Sequence, residues 1–144
     1  REIGNEIQLV FPVHPRTEKM AKSFGLYERL KAIPNIVLTG PVGYLDFVAL
    51  MANSKMALTD SGGLQEETTA LGIPCITLRE NTERPITVTE GTNTIVGCDP
   101  ELILKTAYEV LEGKGKAGRI PDLWDGKTSS RIADVLLQFI ENGD

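Results

Sequence analysis

Short apolar runs alternate with amphipathic segments along this chain, and this alternation limits its possible folds more than any other feature. The runs lie at 7–13, 35–39, 55–59, 74–78 and 94–96. Short runs that are apolar at nearly every position are typical of strands buried on both faces of a parallel sheet. With helices between them, they predict a doubly wound, Rossmann-like α/β fold.

The segments between these runs have the spacing of helices. Apolar residues recur at helical intervals over 17–32, 44–51 and 63–71, and again near the C-terminus, where a stripe runs from Ile132 to Ile140. Asp99 followed by Pro100 is a helix-start signal, and Gly113 ends the helix that it begins. Residues 114–127 are rich in Gly and Lys, and we predict a connecting loop there.

Composition excludes several classes of protein. The 144 residues suit one domain, and a net charge of −5 argues against broad contact with nucleic acid or acidic membranes. No apolar stretch approaches the ~18 residues of a membrane span, so we expect a cytoplasmic protein. His14 is the only histidine and the two cysteines are far apart, so we expect no metal site; Cys75, in an apolar run, is expected to be a buried thiol.

Four polar segments follow predicted strands, at 12–17, 40–44, 60–67 and 79–85. Doubly wound sheets bind ligands outside the carboxyl ends of their strands. Any one of these segments could be an ordinary turn, but four at the same edge favour a binding crevice.

The segment Asp60-Ser61-Gly62-Gly63 has the strongest chemical character. Glycines permit close approach to a ligand, and the free N–H groups of a helix start attract an anion such as a diphosphate. The alternative is a tight turn in which Ser61 or Asp60 caps the helix. The segment is neither a Walker loop nor a Gly-x-Gly-x-x-Gly motif.

Other candidates carry similar ambiguities. Glu67, four residues after Gly63, could accept ribose hydroxyls or simply favour the helix start. Phe47 could stack on a base or pack in the core. Arg79 and Arg84 suit phosphate or carboxylate recognition, although the alternative is a surface loop with an internal Arg–Glu pair. A lone histidine such as His14 is more often structural.

The chain closely resembles the non-hydrolysing UDP-N-acetylglucosamine 2-epimerases over nearly its whole length. The resemblance rests on the order and spacing of these segments: Pro12 to Pro15, Asp60 to Glu67, Gly72 to Pro74, Arg79 to Pro85, Glu90 to Asn93, Val96-Gly97, Trp124 to Lys127 and Ser130 to Ile132.

The resemblance implies the C-terminal, UDP-binding lobe of a two-lobed GT-B fold, with residues 1–144 as part of that lobe and the N-terminal lobe absent. The family interconverts UDP-GlcNAc and UDP-ManNAc by eliminating UDP and adding it back, without NAD or a metal. Its acid/base carboxylates and its His-Arg-Arg-Glu motif are not in this sequence. The resemblance also implies that the first strand of the lobe is missing and that residues 1–5 are the tail of its first helix.

The resemblance further assigns roles to individual positions. Ser61, Gly62 and Gly63 would hold the diphosphate, Glu67 the ribose hydroxyls, and Phe47 would stack near the uracil. Arg84 is the catalytic candidate, stabilising the departing UDP.

Three further substrate-binding candidates follow from the same resemblance. Arg79 and Thr82 would shape the Arg84 loop. His14 would face the cleft between the lobes, near a second sugar-nucleotide, although the following Pro15-Arg16-Thr17 departs from the family pattern.

We therefore expect a UDP-binding piece of a 2-epimerase, inactive alone, from a parent enzyme that forms a homodimer and uses no cofactor. Two alternatives stay open: a regulatory module that senses a nucleotide-sugar, and a GT-B glycosyltransferase lobe. The 82–85 loop counts against the glycosyltransferase.

Overall fold

The computed structural model describes residues 1–142 and has the alternating α/β order that the sequence predicts. The helices are α1 Glu2–Glu6, α2 Pro15–Ser23, α3 Tyr27–Lys31, α4 Tyr44–Ala52, α5 Gly62–Leu71, α6 Pro85–Thr89, α7 Pro100–Leu111 and α8 Thr128–Asn142. The strands are β1 Leu9–Pro12, β2 Ile36–Thr39, β3 Ala57–Thr59, β4 Cys75–Thr77 and β5 Asn93–Ile95. All five predicted strands are confirmed; β1 to β4 are shorter than their apolar runs, and β5 begins one residue earlier than predicted.

The strands form two parallel sheets, β1-β2 and β3-β4-β5. In a Rossmann half-sheet ordered 3-2-1-4-5-6, the first strand would lie between the strands that correspond here to β1 and β3. The break between the two sheets therefore falls where the resemblance implies an absent strand. The predicted parallel α/β class is confirmed. Within residues 1–142 the strands form two separate sheets, whereas the sequence predicts a single doubly wound sheet.

The open edge of β1 shows in the exposure of its side chains. Val10 and Phe11 are 44% and 39% exposed, whereas every residue of β4 is buried. In a parallel ladder alternate residues direct their backbone groups to one neighbour. Because Leu9 N–H donates to Asn35 O, the backbone groups of Val10 point away from β2 toward the open edge.

A small apolar core joins the elements around β4. Ile3 of α1, Ile76 of β4, Val96 and Ala107 of α7 are buried together, and Leu58 of β3 packs against them. The helix α1 overlaps the segment 1–5, which was expected to be helical. Cys75 is buried as predicted, and burial raises the pKa of its thiol.

Three helical segments differ from the sequence prediction. The helix predicted over 17–32 is two helices, since Gly25 at φ +65° turns the chain between α2 and α3. The short α6, which begins at Pro85, lies where only a loop was expected. The C-terminal helix is confirmed as α8, but its apolar stripe is exposed, from 54% at Ile132 to 72% at Ile140.

No helix within residues 1–142 combines the length and the apolar character needed to cross a bilayer.

Candidate functional site

The carboxyl ends of β3 and β4 bring two of the predicted segments to one edge of the sheet. Strand β3 leads through Ser61 into α5, and β4 leads into the loop 78–84 that ends at α6. The two strands pair in parallel, so the segments that follow them lie side by side. The structure thus brings together Ser61 and the Arg84 loop, as the sequence predicts.

The side chain at the N-cap of α5 does not bond to the first N–H groups of the helix. Ser61 is the N-cap residue, yet its hydroxyl makes no capping hydrogen bond within the described residues. Its own N–H donates instead to Thr59 Oγ1 over 3.0 Å. Ser61 thus occupies the N-cap position, as the interpretation of this segment as a capped turn predicts. Its hydroxyl does not make the capping bond that this interpretation requires. The first N–H groups of α5 remain available to an anion.

Gly62 and Gly63 occupy positions where the described fold does not require glycine. A Cβ at Gly62 would meet no atom within 4 Å, and one at Gly63 would come no closer than 3.9 Å, to Ser61 Oγ. Both residues are helical, and neither has a positive φ. The fold alone therefore gives no reason for two glycines here.

Glu66 and Glu67 follow on the same helix and are both half-buried. They line a shallow surface depression together with Ala70 and Trp124. Trp124 was noted in the sequence only as part of the family resemblance, and its place beside Glu67 depends on the return of the chain between α7 and α8. The atoms that line the depression are almost all apolar.

Arg84 lies against α5. Its Nε is 3.0 Å from Glu66 Oε1, an ion-pair distance, although the N–H is not aligned for a hydrogen bond. Its Nη1 donates to the backbone oxygen of Glu83 over 3.3 Å. The guanidinium is thus held near the start of α5 by a carboxylate of that helix.

Arg79 pairs with Glu83 of its own loop, which is the alternative to ligand recognition that the sequence left open. Its Nη2 lies 3.8 Å from Glu83 Oε1 and donates to Asn81 Oδ1 over 3.5 Å. Both contacts are long, so the guanidinium is only loosely held.

His14 and Phe47 lie on elements that follow the other sheet. His14 is exposed and is the N-cap of α2, where its Nδ1 accepts a hydrogen bond from Arg16 N over 3.2 Å. This contact fits the structural interpretation of the histidine. Phe47 is half-buried on α4, a helix that contacts α5. Phe47 therefore lies on a helix that is next to the candidate site.

The sequence did not predict a group of buried polar residues that lies beneath the Arg84 loop. Gln65, Thr77, Thr87 and Asn93 are each 0% exposed. Positions 65, 68 and 69 share one face of α5, and all three carry polar side chains that are buried. A search for apolar periodicity cannot detect a buried face of this kind.

A separate cavity lies at the opposite edge, by the amino ends of β4 and β5, lined in part by Pro74, Thr92 and Lys116. Lys116 donates to the backbone oxygens of Val88 and Asn93, and burial lowers the pKa of its ammonium group. These bonds tie the loop after α7 to β5. No group of three or more potential metal ligands occurs within residues 1–142.

Comparison with known proteins gives a consistent assignment. The family model described as UDP-N-acetylglucosamine 2-epimerase matches residues 1–137. The UDP-N-acetylglucosamine 2-epimerase of Methanocaldococcus jannaschii is 45% identical over 128 residues, which are 89% of this chain and 34% of that protein. The UDP-2,3-diacetamido-2,3-dideoxy-D-glucuronate 2-epimerase of Pseudomonas aeruginosa is 39% identical, over 96% of this chain and 38% of that protein.

A solved structure gives the same picture. The M. jannaschii UDP-GlcNAc 2-epimerase in complex with UDP-GlcNAc and UDP aligns with a TM-score of 0.84 at 43% identity, covering 95% of this chain and 38% of that one. The chain thus spans about a third of the length of the curated relatives it matches. Both the matched length and the shared fold lead to one conclusion: this chain belongs to the UDP-N-acetylglucosamine 2-epimerase family.

Proposed function

We propose that residues 1–144 form part of the UDP-binding C-terminal lobe of a UDP-GlcNAc 2-epimerase. The parent enzyme would interconvert UDP-GlcNAc and UDP-ManNAc by eliminating UDP and adding it back. The observation that carries the proposal is the pair Gly62 and Gly63, which the described fold does not require and which leave the first turn of α5 open. A diphosphate bound there would gain backbone N–H donors and the positive end of the helix dipole.

The other candidate residues support the same ligand. Glu67 lies on the helix whose start would hold the diphosphate, so its carboxylate would accept the ribose hydroxyls. Phe47, on the adjoining α4, would stack near the uracil. The hydroxyl of Ser61, free of a capping role, would add a donor to the diphosphate.

Arg84 would act on the leaving group. Elimination breaks the bond between the sugar C1 and the diphosphate oxygen, and negative charge grows on UDP as the bond breaks. A guanidinium near the start of α5 would stabilise that charge. Arg79 and Thr82 would hold the loop in place, and His14 would face the cleft between the lobes.

The proton transfers at C2 need acid/base carboxylates, which the family resemblance assigns to the N-terminal lobe. We therefore propose that this chain alone binds UDP weakly and does not catalyse the reaction. We further propose that the parent enzyme is a homodimer and needs no cofactor.

The parent protein has two candidate sugar-nucleotide substrates. The P. aeruginosa relative acts, by its name, on a diacetamido glucuronate carried by UDP. UDP is common to both substrates, so the residues proposed here would serve either sugar. Comparing turnover of the two sugar-nucleotides by the parent protein decides between them. A regulatory module that senses a nucleotide-sugar would bind both and convert neither.

Calorimetric titration of this chain with UDP tests the binding proposal. We expect weak binding by the wild type and a loss of at least about tenfold in Glu67→Gln, since a charge-assisted hydrogen bond is worth about 1.5–3 kcal/mol. Glu109→Gln, an exposed change on α7, is the matched control and should leave the affinity unchanged. Absence of binding, or equal affinities for wild type and Glu67→Gln, would contradict the proposal.

A further inference from the structure

Both backbone groups of Arg84 are held by threonine hydroxyls. Arg84 N–H donates to Thr82 Oγ1 over 2.9 Å, and Thr87 Oγ1 donates to Arg84 O over 2.7 Å. Arg84 has φ −125° and ψ 60°, outside the regular helix and strand regions. Arg84 O also accepts from the backbone N–H of Thr87 over 3.0 Å, so the two threonine hydroxyls act beside one backbone bond at the start of α6.

The two threonines are joined by a pair of buried amides. Thr82 Oγ1 donates to Gln65 Oε1 over 2.5 Å, and Asn93 Nδ2 donates both to Gln65 Oε1 and to Thr87 Oγ1, each over 3.0 Å. We call these four residues, Gln65, Thr82, Thr87 and Asn93, the amide clasp. The clasp closes a ring of hydrogen bonds around the backbone of Arg84.

The clasp is anchored in rigid elements. Gln65 belongs to the second turn of α5 and Asn93 to β5, and both are 0% exposed. Thr77 of β4 fixes the Asn93 amide by donating to Oδ1 over 2.6 Å. Burying an amide is costly where a hydrogen bond is not made. Asn93 bonds through both groups of its amide and Gln65 Oε1 accepts two hydrogen bonds, whereas Gln65 Nε2 has no partner within residues 1–142.

We propose that Gln65 and Asn93 are positioning residues: through Thr82 and Thr87 they hold the backbone of Arg84 beside the first turn of α5. The consequence for UDP rests on the function proposed above. Arg84 would meet the diphosphate only if its loop keeps this register with the helix start. The clasp sets that register from inside the domain.

The variant Thr82→Val tests the clasp, because it removes one hydroxyl while keeping the side-chain shape. Variants of the wholly buried Gln65 and Asn93 risk unfolding the chain, whereas Thr82 is half-buried in the loop. Amide exchange followed by NMR reports on the clasp without any ligand. We expect exchange at the Arg84 N–H to accelerate about fivefold to tenfold, since one hydrogen bond contributes about 1 kcal/mol. Exchange in β4 should not change.

Two further variants separate positioning from a general loss of structure. Thr82→Ser restores the hydroxyl and should bring Arg84 exchange back to the wild-type rate. Thr89→Val removes a nearby hydroxyl whose partner is Pro85 O and should leave Arg84 unaffected. Unchanged exchange in Thr82→Val, or equal exchange in the Val and Ser variants, would overturn the clasp.

UDP affinity then tests whether the clasp acts through Arg84. Thr82→Val should weaken binding severalfold in the wild-type background and have no further effect in the Arg84→Gln background. Equal losses in both backgrounds would show that Thr82 acts independently and would overturn the positioning role. If the wild type binds no UDP, the proposed function fails, and amide exchange still decides whether the clasp holds Arg84.

Discussion

Arg84 Nε lies 3.0 Å from Glu66 Oε1, so the guanidinium that we assign to the leaving UDP is shared with a carboxylate of α5. Both side chains are 42% exposed, and a pair this exposed is worth at most about 1 kcal/mol. A bound diphosphate could therefore replace the carboxylate as the partner of Arg84 at small cost.

Neutralising Glu66 should strengthen UDP binding. Glu66→Gln removes a negative charge that competes with the diphosphate for Arg84, and we expect an affinity gain of about threefold to fivefold. Calorimetry measures the change, with Glu101→Gln on α7 as the control. A weaker complex in Glu66→Gln would mean that the carboxylate orients Arg84 rather than competing for it.

Gly63→Ala should separate stability from binding. The added methyl would lie 3.9 Å from the nearest atom, so stability should hold or rise by up to about 1 kcal/mol. UDP affinity should fall at least tenfold, because the methyl would occupy space that the diphosphate needs. Urea denaturation and calorimetry give the two values. Unchanged affinity would contradict the assignment of this turn to the ligand.

Gly91→Ala should have the opposite pattern, since this glycine is required by packing. Its Cβ would lie 2.5 Å from Thr69 Oγ1 and 2.7 Å from the backbone oxygen of Thr87. Relieving such overlap costs about 1–3 kcal/mol of unfolding free energy. Gly40→Ala is the matched control, because a Cβ there meets no atom within 4 Å. Similar urea midpoints for the two variants would refute the packing explanation.

The start of α8 should respond to acid through Asp125. Arg131 Nη1 donates to Asp125 Oδ1 over 2.9 Å, and this contact lowers the pKa of Asp125 below its ordinary value of 3.8. A lowered pKa in the folded chain stabilises it above about pH 4, and that stabilisation is lost as the pH falls through the folded-state pKa.

In Arg131→Gln we expect the pKa of Asp125, followed by NMR titration, to rise. The loss of stability between pH 4 and pH 2 should be correspondingly smaller than in the wild type. Arg119→Gln, which breaks the separate Arg119–Asp122 pair, is the control. An unchanged titration of Asp125 in Arg131→Gln would show that Arg131 does not cause the shift.

Much of the fold was predictable because its signals are local. Each strand from β1 to β5 overlaps an apolar run, and α7 begins at the Asp99-Pro100 signal with Asp99 accepting from Glu101 N. The motif at 60–63 likewise predicts a turn into a helix from residues that are adjacent in sequence. The split between α2 and α3 was missed because a glycine with positive φ interrupts an otherwise continuous helical pattern.

The α/β order, the family and the turn into α5 follow from the sequence, since each depends on neighbouring residues or on their spacing, whereas the absence of a Ser61 capping bond is a finding of the structure. Only the tertiary structure decided which polar side chains meet beneath that turn. Gln65 pairs with Thr82, 17 residues away, and with Asn93, 28 residues away. Such partners come together only when β4, β5 and α5 pack, because a hydrogen bond depends on distance and angle in space and leaves no period in the sequence.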